Sequence, residues 1–199
     1  MADPHVTMST VRKATNSPAK ARMRAKSARI PVTPSAAEIK AGVLPPLSGR
    51  PIRVFIRRSL GPHLAATSIP KRLILLDAEV LAVRGDFERI LVHEIFHFVW
   101  VRLSNAARRS WEQILAQELK RKAAGELGWS AEWRKTALHP SDVRARSPRW
   151  LRYACESFCD TAAWLYAGLR THNEFTLAAS VRPSRRAWFK HNLTGDVLI

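Results

Sequence analysis

His93, Glu94 and His97 lie in the string His-Glu-Ile-Phe-His, two imidazoles four residues apart with a carboxylate beside the first. Residues four apart on a helix leave the same face, so both imidazoles can reach one ion. Hydrolytic zinc is held by nitrogen and carboxylate ligands, with one coordination position left for water. A carboxylate next to the first ligand, as Glu94 is, can take a proton from water that the metal activates. The spacing therefore predicts metal-assisted hydrolysis, with Zn²⁺ on His93 and His97 and Glu94 as general base. A second reading, two core histidines satisfied by backbone carbonyls, stays open on this evidence.

The chemistry requires a helix, and the flanking residues provide one. Gly85-Asp86 offers a start with Asp86 as N-cap and Glu88 in the first turn, and Ser104-Asn105 marks the end. Between them Ile90, Leu91, Val92, Ile95, Phe96, Phe98, Val99, Trp100 and Val101 are apolar almost all the way round, the pattern of a buried helix. His93, Glu94 and His97 are then polar groups inside a core, which cost stability unless partnered.

Zinc needs a further protein ligand. The long metzincin pattern would place Gly at 100 and His at 103, where this chain has Trp100 and Leu103, so that arrangement is excluded. A better source is the stretch opened by Ser147-Pro148 and stopped by Gly168, which reads as one helix of about five turns. Glu156 and Asp160 lie four apart on one side of it. Carboxylates that close repel unless a cation sits between them or one serves another partner. His139 and Asp142 are rival ligands, although His139-Pro-Ser-Asp142 reads as a turn.

His-Glu-x-x-His followed by Glu-x-x-x-Asp on a later helix resembles the gluzincin metalloproteases, the thermolysin-like branch of the zincins. The resemblance implies His93, His97 and Glu156 as zinc ligands, Glu94 as general base and Asp160 as the group that orients His93. It covers roughly residues 50 to 170. His97 and Glu156 are 59 residues apart, more than in thermolysin, and the chain is short, so it resembles a minimal gluzincin.

The rest of the chain supplies a scaffold. Pro51 to Arg57 alternates apolar and polar residues as a half-buried strand does, Ala65 to Ile69 reads as a second strand and Arg72 to Asp77 as a third. In zincins a strand near the third forms an edge to which extended substrate adds; an ordinary core strand is the other reading. Asn105 to Ala124 reads as an amphipathic helix with Trp111, Ile114, Leu115 and Leu119 on one side, stopped by Gly125, and a shorter helix follows from Ser130. The expected fold is α+β and helix-dominated: a zincin-like domain over residues 49–199, with a small twisted sheet, a metal-binding helix, a glutamate helix and backing helices.

Residues 1–48 carry eight basic and two acidic residues, several prolines and no aromatic residue, and are expected to be a disordered basic tail. The whole chain carries +17, so the tail's +6 leaves +11 on the remainder. Such a surface attracts nucleic acid or acidic partners without specifying which. No signal-peptide core and no run long enough to span a bilayer is evident, which makes a cytoplasmic setting the expectation. Cys155 and Cys159 flank Glu156 and are expected as buried, reduced thiols; a thiolate ligand or redox control is the alternative. Tyr153 and His172 are candidates to stabilise an oxyanion. The functional expectation is a zinc metallopeptidase acting on peptide or protein substrates. Its alternatives are a nucleic-acid-associated regulatory metalloprotease or sensor, and a non-catalytic zincin-like scaffold.

Overall fold

The computed structural model describes residues 6–11 and 44–199. Its main sheet has four strands: β1 (Val6–Val11), β3 (Arg53–Arg57), β4 (His63–Ser68) and β5 (Leu73–Asp77), in the order β1-β4-β5-β3. β4 is antiparallel to both neighbours, while β3 runs parallel to β5. A separate parallel pair joins β2 (Leu47–Ser48) to β6 (Val197–Leu198) and ties the two ends of the described 44–199 segment together.

Six α-helices follow the sheet among the described residues: α1 (Asp86–Arg102), α2 (Asn105–Lys120), α3 (Trp129–Thr136), α4 (Pro140–Ala145), α5 (Pro148–Tyr166) and α6 (Arg182–Asn192). The architecture is mixed helix and small sheet, with helix in the majority. α1 is the central element, buried at every position from Arg89 to Trp100. One side of it packs on α5 and the other on β4. β4 permits that approach because Ala65, Ala66, Thr67 and Ser68 are all small and all buried. Behind α1 and α5, Phe96, Trp111, Phe158 and Phe189 form an aromatic core, with Phe158 and Phe189 stacked at 4.9 Å. Full burial of each such ring contributes about 1.5–3 kcal/mol.

A buried ionic knot closes the far side of α5. Arg185 of α6 donates to Glu118 at the end of α2 and to Glu126 in the following loop, and Glu126 also accepts from the hydroxyls of Tyr153 and Ser157. Buried charges are tolerated when each is paired and hydrogen-bonded in this way.

Several elements depart from the reading of the sequence. Residues 6–11 form a strand instead of belonging to a disordered tail, in keeping with their uncharged, β-branched-rich composition Val-Thr-Met-Ser-Thr-Val. The rest of that tail up to residue 43 lies outside the described residues, and residues 44–48 lead into the short pair with β6. β5 is flanked on both sides, so the strand expected as a substrate edge is an interior one. Asp86 is the first helical residue of α1, and the cap position belongs to Gly85 with φ 91°. α2 stops at Lys120, short of Ala124. His139-Pro-Ser-Asp142 opens a one-and-a-half-turn helix, with Asp142 accepting from the His139 backbone at 2.9 Å and the Ser147 hydroxyl at 2.6 Å. Helix α6 was not anticipated.

Candidate metal centre

α1 and α5 meet along three pairs of residues, each pair spaced by one turn. On α1 the pair is His93 and His97. On α5, Glu156 and Asp160 form one stripe and Cys155 and Cys159 the adjacent one, a rotation of about 100° apart. His93 faces the carboxylate stripe and His97 the thiol stripe.

His93 is fully buried. Its Nδ1 lies 2.7 Å from Asp160 Oδ1, and its Nε2 lies 3.2 Å from Glu156 Oε2. The second contact is close without being aligned as a hydrogen bond, so His93 Nε2 and Glu156 Oε2 are both left buried without a hydrogen-bond partner. Both oxygens of Glu94 are in the same state. Orphaned polar atoms this deep are rare in folded proteins and call for an explanation such as an ion. Two ligand atoms about 2.0–2.1 Å from one tetrahedral ion are about 3.3 Å apart. The His93–Glu156 separation fits that spacing.

His97 Nδ1 lies 3.5 Å from Sγ of both Cys155 and Cys159, and the two cysteines are free thiols. One ligand atom from each of His93, His97 and Cys159 falls within 4.8 Å of the others. This buried group could bind a metal, and its donor types do not by themselves select zinc.

The electrostatics favour a cation. Three buried carboxylates, Glu94, Glu156 and Asp160, surround two imidazoles. Burial works against charge on His93, but Asp160 and Glu156 outweigh it and raise its pKa well above 6.5. Burial also opposes charge on Glu156, yet the close approach of His93, the field of His97 and the nearby Arg134 guanidinium bring it down to about 2. Arg134 of α3 reaches Glu156 Oε1 at 3.4 Å. Glu94 behaves oppositely: burial pushes its pKa up, with only partial relief from His97, His93 and the Thr67 hydroxyl. A carboxylate raised by burial holds a proton more readily than a solvated one.

Asp160 is itself held in place. Its Oδ2 accepts the Ala131 N–H at 3.0 Å in the first turn of α3, and Glu174 accepts the Trp129 N–H at 2.7 Å beside it. Anionic groups at a helix N-terminus are stabilised by its dipole and its free N–H groups. Glu174 in turn pairs with the buried Arg89 of α1.

The structure thus brings together His93, Glu94, His97, Glu156 and Asp160. It places the two suggested oxyanion stabilisers elsewhere. Tyr153 is buried with its hydroxyl on Glu126 at 2.6 Å, inside the ionic knot. His172 pairs with Asp86 at 2.9 Å, two turns before His93 on α1. His139 and Asp142 are occupied at the start of α4. Gly128, Ala131, Arg134 and Thr67 join the site without having been identified from the sequence. Each reaches it through packing of separate elements, and no local motif announces such contacts.

No protein-family model, no curated protein and no solved structure matches the chain. Among the described residues no helix is long and apolar enough to cross a membrane.

Proposed function

We propose that the protein is a zinc-dependent metallopeptidase of the gluzincin kind, with His93, His97 and Glu156 holding the ion and Glu94 as general base. The observation that carries this reading is the pair of buried, unpartnered atoms His93 Nε2 and Glu156 Oε2 at 3.2 Å, with Glu94 unpartnered beside them. When bound, zinc supplies a Lewis acid and lowers the pKa of water so that a nucleophile exists at neutral pH. Asp160, on Nδ1 of His93, fixes the ring so that Nε2 faces the ion position. Glu94 accepts a proton during attack on the peptide carbonyl and returns it to the leaving amine, a role its burial-raised pKa supports. The wall of β4 and the packed face of α1 exclude bulk water, which strengthens each of these interactions.

Glu94→Gln tests the reading. The variant should retain zinc and lose hydrolysis of a mixed peptide library by a factor of about 100 or more. Undiminished hydrolysis would remove Glu94 from the mechanism.

A second reading has an observation of its own. The grouping of His93, His97 and Cys159 supports a site in which Cys159 is a ligand and the metal is structural. Structural zinc sites are commonly four-coordinate with thiolate ligands, and leave no position for water.

A further inference from the structure

Helix α6 carries two unlike faces. Arg185, Trp188 and Phe189 are buried, and Arg185 serves the ionic knot. Arg182, Arg186 and Lys190 follow one another at intervals of four residues, so they form a row along one side of the helix, about 6 Å apart and about 12 Å from end to end. The row lines a groove of about 560 Å³ beside the end of α5, to which Trp164, Pro183 and Ala187 add apolar surface, and no acidic residue lines it. The Arg186 guanidinium lies over the Trp164 ring at 4.7 Å, with that of Arg182 at 5.9 Å. Arg182 is held there by donating to the Leu177 and Phe175 carbonyls at 2.8 and 2.9 Å. Arg186 and Lys190 are exposed and pair with no carboxylate among the described residues. Like charges one turn apart oppose helix formation, so a row of three without an interleaved acid is a strain that a bound polyanion relieves.

We infer that this groove binds single-stranded nucleic acid, with phosphates along Arg182, Arg186 and Lys190 and a base stacked on the Trp164–Arg186 pair. Cations in a row track a phosphate backbone, and an aromatic ring beside them takes bases of any sequence because every base has a flat face. An acidic peptide satisfies the cations and leaves the aromatic surface unused. A duplex keeps its base faces inside the stack and leaves it unused as well. The charge of +17 on the whole chain adds a long-range attraction that brings a polyanion to the surface, and the groove gives it a defined place to settle. The inference goes beyond the peptidase reading and does not depend on it, since neither α6 nor Trp164 supplies a group to the metal centre.

The test is the anisotropy of a fluorescein-labelled DNA single strand of about 16 nucleotides with the full chain, over a range of salt concentrations. Arg186→Glu with Lys190→Glu reverses two exposed charges in the groove. Arg149→Glu with Arg152→Glu makes the same change in net charge at exposed positions about 18 Å or more along α5 from Trp164, and so reproduces any effect of overall charge. The groove variant should lose about tenfold more affinity than this control and flatten the slope of log K against log salt by about 2. Trp164→Leu keeps apolar bulk and removes the stacking face; it should weaken binding about fivefold or more with the salt slope unchanged. The two charge variants decide the question even if Trp164→Leu does not fold. Equal losses in both charge variants, or no binding by wild type, would overturn the inference and leave a diffuse basic surface. Tighter binding of a poly-glutamate chain, or of a duplex of the same length, than of the single strand would overturn it too. Neither metal nor turnover enters the measurement, so its outcome stands apart from that of the peptidase reading.

Discussion

Gly128 and Asp160 are packed so closely that a side-chain carbon on the glycine would lie 2.2 Å from the Asp160 carboxyl carbon. The backbone there is extended, so the requirement is steric and not conformational. Only with a bare Cα at this position can α3 deliver the Ala131 N–H to the carboxylate that orients His93. Gly128→Ala should lower stability by about 1–3 kcal/mol, the usual cost of overpacking a tight site. It should also weaken metal binding, because Asp160 has to move. Thermal melts and chelator competition on the same preparation check both effects, and an unchanged metal affinity would show that Asp160 does not control His93.

Asp160→Asn removes the charge while keeping the shape. Loss of a carboxylate partner on a ligand histidine weakens metal binding by about 10–100-fold. A competitive zinc titration against a chromophoric chelator measures it. Wild-type affinity in this variant would leave Asp160 as a cap for α3 and nothing more.

Cys159→Ser separates the two candidate ligand sets. If Glu156 is the third ligand, the thiol at 3.5 Å only buttresses His97 Nδ1, and the serine variant should keep its metal. Serine hydroxyl is a poor substitute for thiolate on zinc, so a cysteine ligand would reveal itself by loss of metal on dialysis. Retained metal is the expected result.

The elements that the sequence made legible are those with local signals. α1 and α5 have strong apolar patterning, Ser147 caps α5 through its side chain as its position before Pro148 indicates, and Gly168 follows the end of α5 with φ 72°. β3, β4 and β5 follow from short alternating or apolar runs between turn residues. The five central site residues were readable because they sit one helical turn apart in two strings. What was not legible depends on contacts between distant segments. The pairing of Thr7 with Thr67 joins residues 60 positions apart in the chain, and nothing near Asp160 foretells that α3 will cap itself on it. α6 is short and highly basic, and its helical face becomes meaningful only through Arg185 reaching Glu118 and Glu126.

That same knot predicts an acid sensitivity. Burial alone would raise the Glu126 pKa, but Arg185, Lys135 and the Tyr153 hydroxyl outweigh it and hold the carboxyl below its ordinary 4.5. A carboxyl lowered on folding stabilises the native state above its unfolded value, and that contribution is lost as pH falls through the folded one. The knot's contribution to stability should therefore be level near neutrality and decline below about pH 4.5. Arg185→Met, which strands Glu118 and Glu126, should cost about 3–5 kcal/mol at neutral pH. The same variant should show a weaker decline on acidification, since protonation then relieves the uncompensated carboxylates. Urea unfolding at several pH values follows both, and a wild-type pH profile in the variant would contradict the assignment.

Metal content per chain, measured on wild type and on Glu156→Ala after the same zinc reconstitution and dialysis, tests the central claim most directly. About one zinc in wild type and little or none in the variant is the predicted result. Equal zinc in both would remove Glu156 from the ligand set, and no zinc in either would return His93 and His97 to the core as ordinary buried histidines.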